Sequence, residues 1–173
     1  MKCITPDKYA QDARAWKDLA DTNYAASKTL FIHAMEKPTL YFVAVALGHL
    51  ALEMLLKTAL ICKGMTVFNP KHLKSLDPLI DLKESDCVWG HGLVELARTL
   101  AQRDAGFDLS AKLPFCGVVF ETPLTVEEGF ELFAPFFSEL RYPQELKKIV
   151  GFGGEESCLL EELACYIEPF IAI

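Results

Sequence analysis

Apolar residues recur at three- and four-residue spacing along most of this chain, and the interruptions mark where one helix gives way to the next. "TPD" opens the first helix: Thr5 can cap, Pro6 suits the first turn, and Asp7 complements the helix dipole. Tyr9, Ala13, Trp16, Leu19, Ala20, Leu30, Phe31 and Ala34 then follow helical spacing to about Met35. Pro38 disfavours helix at Lys37 and turns the chain. A second helix is predicted from about Thr39 to Lys63, ending at Gly64, a residue suited to a left-handed helix end. It is apolar nearly all round, which places it at the centre of a bundle.

The stretch from Met65 to Gly90 is less regular, and "NPKHLKSLDPLIDLK" predicts one or two short helical turns broken before Pro78. A third helix is expected to start near His91, running "HGLVELARTLAQRD" and closing before Gly106. "GFDLSAKLPFCGVVFETP" reads as a loop with a brief extended piece at Val118 to Phe120. Thr125 stands three residues before Glu128, a capping-box signature that opens a fourth helix from Val126 to Leu140. That helix should bury Phe130, Phe133, Phe137 and Leu140 and bend at Pro135. The last helix, Glu155 to Phe170, carries Leu159, Leu160, Leu163, Tyr166 and Ile167. With no linker and no repeat, residues 1–173 form one domain: an all-α, up-and-down helical bundle of about five helices, its first two long and antiparallel.

Composition agrees with a globular domain: 173 residues, 51% hydrophobic and 24% charged. A net charge of −7 removes any broad attraction to nucleic-acid phosphates, so bulk duplex-DNA binding is not expected. The N-terminal residues have no apolar signal-peptide core. Leu40 to Cys62 is long enough to cross a bilayer, but His49, Glu53 and Lys57 lie within it, so a buried core helix and no membrane role are expected. The six cysteines contain no C-x-x-C, and a chain of this size needs no disulfide framework; a reducing cytoplasm follows.

His49, Glu53 and Lys57 recur every four residues on the most apolar helix. Such neighbours share a face, and Glu ahead of Lys is the favourable order for an ion pair. The reading that needs least is a buried Glu53–Lys57 pair with His49 hydrogen-bonded nearby. His91 and Glu95 repeat the His-x-x-x-Glu spacing, but the Glu-x-x-His of a ferritin-like centre is missing, so neither metal nor cofactor is expected. Catalytic motifs are equally thin. There is no G-x-S-x-G, and "GFGG" lacks the Lys-Ser/Thr of a phosphate loop. Trp89-Gly90-His91-Gly92 places a histidine at a helix start, either titratable in solvent or anchoring the loop.

Taken in order, three segments resemble the HEPN domain (higher eukaryotes and prokaryotes nucleotide-binding). They are the helix carrying Ala51, Glu53, Leu56 and Lys57; the helix start with His91, Leu93 and Leu96; and the turn Leu140-Arg141-Tyr142-Pro143. The resemblance covers roughly Tyr41 to Ile173. It implies a helical bundle, frequent homodimers, and roles in bacterial defence or toxin–antitoxin systems. Many members cleave RNA without metal through an Arg followed after four to six residues by His. Here Arg14, Arg98, Arg103 and Arg141 all lack that partner, so no catalytic residue is carried over. The matched motifs look more like members that accompany a nucleotidyltransferase protein. The resemblance marks Glu53, Lys57, His91, Arg141 and Tyr142 as the candidate ligand-binding set.

Two roles for that set stay open. Glu53 balanced between Lys57 and Arg141 would fix helix packing. Alternatively, Lys57, His91 and Arg141 would receive a nucleotide phosphate, with Tyr142 stacking on the base. The expected function is a non-catalytic nucleotide- or RNA-binding or protein-interaction module. The alternative is a metal-independent ribonuclease with an atypical site that includes His91 and Arg141. Phe130, Phe133, Phe136 and Phe137 supply more aromatic surface than one helix face can bury, which, with the resemblance, predicts a homodimer.

Overall fold

The computed structural model describes residues 12–67, 87–88, 90–114, 123–134 and 155–173. They are mainly helical. α1 spans Ala13–Ala34, and the Asp12 carboxylate caps it by accepting from the Arg14 and Ala15 N–H groups at 3.1 and 3.2 Å. Asp12 itself is extended, so the long helix starts there and does not run unbroken from Thr5; that earlier start lies outside the described residues. α2 spans Thr39–Cys62, directly after Pro38. The chain leaves it through Gly64 at φ +78°, the left-handed conformation the sequence suggests.

α1 and α2 pack antiparallel along their length. Descending α1 while ascending α2, the Phe31 and Tyr41 rings meet edge-on at 5.4 Å, Ser27 Oγ donates to the Ala44 carbonyl at 2.7 Å, and Trp16 lies against Lys57. By length and composition α2 could cross a membrane. In this fold it is the central helix, with Ala44, Leu52, Leu56, Ala59 and Leu60 wholly buried. Gly48 is where neighbours come closest. A Cβ there would stand 3.1 Å from Leu160, 3.2 Å from Ser27 Oγ and 3.4 Å from the Phe133 ring, so hydrogen is what lets the helices approach.

After α2 the structure departs from the sequence reading. Thr66–Val67 (β1) pairs in parallel with Cys87–Val88 (β2), Thr66 opposite Cys87. The helical turns expected in this region fall on residues 68–86, outside the described residues. The strand pair has a local cause, since Thr66, Val67 and Val88 are β-branched and favour extended backbone.

α3 (Leu93–Arg103) buries Leu93, Leu96, Ala97 and Leu100. α4 (Val126–Phe133) begins with the predicted capping box: Thr125 Oγ1 accepts from the Glu128 N–H, and Glu128 Oε2 accepts from the Thr125 N–H. Those same bonds hold the Glu128 carboxyl below its ordinary pKa. The bend at Pro135, the burial of Phe137 and Leu140, and the extended piece at 118–120 lie outside the described residues. α5 spans Glu156–Ile167 and tightens into a 3-10 turn at Glu168–Phe170. Pro169 has no N–H to continue an α-helical ladder. Residues from all five helices join one apolar cluster around Phe130, Phe133, Leu52, Leu56 and Leu160.

Candidate functional site

Along α2, the periodicity of the helix stacks His49, Glu53 and Lys57 on one side. All three are buried, at 1, 3 and 5% exposure. Each one ties α2 to a different neighbour. His49 Nδ1 lies 3.0 Å from the Phe133 carbonyl at the end of α4; a carbonyl only accepts, so Nδ1 carries the proton. Glu53 Oε1 accepts from Lys57 Nζ at 2.5 Å and from His91 Nδ1 at 2.9 Å, just ahead of α3. Lys57 Nζ also stands 5.5 Å from the centroid of the Trp16 ring on α1. An aromatic face over a desolvated ammonium adds an attraction on the order of 1–2 kcal/mol.

The polar residues of this apolar helix are therefore junctions. A buried Glu53 carboxylate beside a buried Lys57 ammonium leaves no net charge in the interior. Glu53 Oε2 is buried and takes no hydrogen bond among the described residues. His91 differs from the others, for its side chain is 59% exposed while its Nδ1 is anchored on an interior carboxylate. A carboxylate on one ring nitrogen fixes the tautomer and orients the ring, leaving the far edge of the imidazole to present outward.

Of the five candidate residues, Glu53, Lys57 and His91 are brought into one cluster. Arg141 and Tyr142 lie outside the described residues. Lys57 is enclosed by Glu53 and Trp16, which makes it an interior partner more than a surface phosphate donor. His91 engages Glu53 across helices, and the Glu95 of its own His-x-x-x-Glu pair lies elsewhere, on the wall of a nearby cavity. Among the described residues no group of three or more His, Cys, Asp or Glu is placed to hold a metal ion.

That cavity, about 450 Å³, opens beside His91 and is lined by Met65, Cys87, Val88, Leu96 and Thr99 together with Gly90, Gly92 and Glu95. Gly90, at φ +116°, adopts a backbone that other residues resist, which carries the chain from β2 into α3. Trp16 and this cavity were not picked out by the sequence reading. "MTV" and "CVW", two short β-branched runs ahead of a Gly-x-Gly, were the available signal for a strand–loop–helix unit.

Burial pushes the His49 imidazole below its ordinary value, against the upward pull of the Phe133 carbonyl, the Glu53 charge and the His91 backbone. The unfolded chain thus binds a proton at His49 more readily than the folded one. Stability from this group is complete above the unfolded value of about 6.5 and is lost as pH falls from there towards the lower folded value. Urea midpoints should drop between about pH 7.5 and about pH 5.5, and His49→Asn should flatten that slope. Equal slopes in the two proteins would mean that His49 is not buried neutral.

Compared with protein-family models, with curated proteins and with solved structures, the chain matches none.

Proposed function

We propose that this chain is a non-catalytic, HEPN-like nucleotide- or RNA-binding module, of the kind the sequence motifs associate with bacterial defence or toxin–antitoxin systems. What supports this reading most is His91. Its imidazole is outward-facing yet held at Nδ1 by the buried Glu53, beside a cavity of ligand size. A surface group is rarely anchored on an interior charge, and such an anchor pre-orders a contact for a ligand. The acidic balance of the chain limits the ligand to a short segment met by local contacts.

A second reading, metal-independent RNA cleavage, draws on the same pair, because a carboxylate-oriented histidine is suited to move a proton. One experiment separates the two. Short single-stranded RNA incubated with the protein in chelator should bind and remain intact, and His91→Ala should weaken binding roughly tenfold, the worth of one charge-assisted hydrogen bond. Cleavage that disappears in His91→Ala would replace the binding module with the ribonuclease.

The proposal includes a homodimer or a nucleotidyltransferase partner protein. Phe136 and Phe137, two of the aromatics behind the homodimer, lie outside the described residues; Leu19, Ile32, Met35 and Val43 are exposed apolar residues of α1 and α2. Light scattering on the same sample is expected to give twice the chain mass. A monomer would leave only the hetero-partner.

A further inference from the structure

We infer that the cavity between β2 and the start of α3 holds a guanine base by its Watson–Crick edge, with the Glu95 carboxylate as the acceptor. This rests on the nucleotide-binding reading above and names its base.

Three observations converge on it. First, the cavity's walls divide by chemistry: Met65, Val88 and Leu96 give apolar faces against which a flat ring can lie, and Glu95 is the charged group among its described lining residues. At about 450 Å³ it falls in the range of small-ligand sites. Second, Glu95 is folded back over the helix start. Its Oε2 stands 1.9 Å from where a Cβ at residue 92 would be, so glycine at that position is what admits the carboxylate. Third, α3 starts at Gly92 with no side-chain cap, and the end that would otherwise attract an anion already has the Glu95 charge beside it.

The consequence is a selection by charge and by donor pattern. A phosphate is repelled by Glu95. A neutral group with adjacent N–H donors is attracted, because a carboxylate presents two parallel acceptors. Of the four RNA bases, guanine alone offers a ring N–H and an exocyclic amine side by side. Adenine and cytosine offer an amine alone, and uracil one ring N–H. Unpaired bases are commonly read on this edge. Thr99 is on the same wall, its hydroxyl already donating to the Glu95 carbonyl at 2.7 Å, which leaves its oxygen as an acceptor. His91 sits between Gly90 and Gly92, both of which line the cavity, so the phosphate of the same nucleotide meets the imidazole and avoids the carboxylate.

Calorimetric titration of the full chain with GMP, AMP, CMP and UMP tests this. GMP is expected to bind about tenfold more tightly than the others, the usual worth of a satisfied against a broken paired contact. Glu95→Gln should bring GMP to within about twofold of AMP, since an amide presents one acceptor where the carboxylate presents two. Glu95 is exposed, and circular dichroism should show the variant folded. Equal binding of all four nucleotides, or a GMP preference that survives Glu95→Gln, would overturn the guanine assignment and leave the binding module standing. No binding of any nucleotide would remove the binding module itself, and the assignment with it.

Discussion

Glu53→Ala is expected to cost about 3 kcal/mol or more in folding stability, because it leaves the Lys57 ammonium buried without its counter-charge. The Coulomb attraction between exposed partners is worth little; here both side chains are almost wholly enclosed, at 4 and 7% exposure. Desolvation already opposes each charge, and only the contact between them offsets it. Trp16 supplies part of the environment of Lys57, but an aromatic face cannot replace a carboxylate. The same substitution frees His91 from its anchor, which adds little to stability because that side chain is largely in water. A urea midpoint equal to that of the parent protein would show that Glu53 does not face the interior.

Phe133→Ala is expected to cost about 3–5 kcal/mol, the usual loss for a fully buried phenylalanine. Phe133 closes the last turn of α4 and has no exposed surface. Its ring lies at the Gly48 crossing, where α2 comes closest to α1, α4 and α5. Removing the ring leaves a cavity at a point where four helices converge, and the rigid backbone around Gly48 has little side-chain mass with which to fill it. Phe133→Leu should recover more than half of the loss, since most of the volume is restored. If alanine were tolerated with less than about 1 kcal/mol, the crossing would have to collapse freely, contrary to a close-packed interior.

Much of the fold was legible because it depends on local signals. Pro38 and Gly64 bracket α2 as read, and the Thr125–Glu128 capping box starts α4 at the expected residue. Boundaries set by a competing cap were harder: Asp12 starts α1 in place of Thr5, since either can accept from the first free N–H groups. The β1–β2 pair escaped because two-residue strands show no alternation, and parallel pairing joins segments far apart in sequence.

The site was legible in the same proportion. Four-residue spacing on an apolar helix announced the Glu53–Lys57 pair. Nothing local announces that His91 from another helix shares Glu53, or that Trp16 covers Lys57, for those contacts are made only when α1, α2 and α3 pack. Glu95 was read for its spacing from His91, whereas its place on the cavity wall follows from how it folds against Gly92.

The central claim is that Glu53 and Lys57 form one buried, mutually dependent unit at the heart of the α2 junction. Urea unfolding of Glu53→Leu, Lys57→Met and the protein carrying both measures that dependence directly. Each single change should destabilise by about 3 kcal/mol, since each strands one buried charge, while the pair replaced together should recover most of the loss because no charge remains to be compensated. A double variant whose loss equals the sum of the two singles would show that the residues act independently, and that the interior ion pair does not hold the junction.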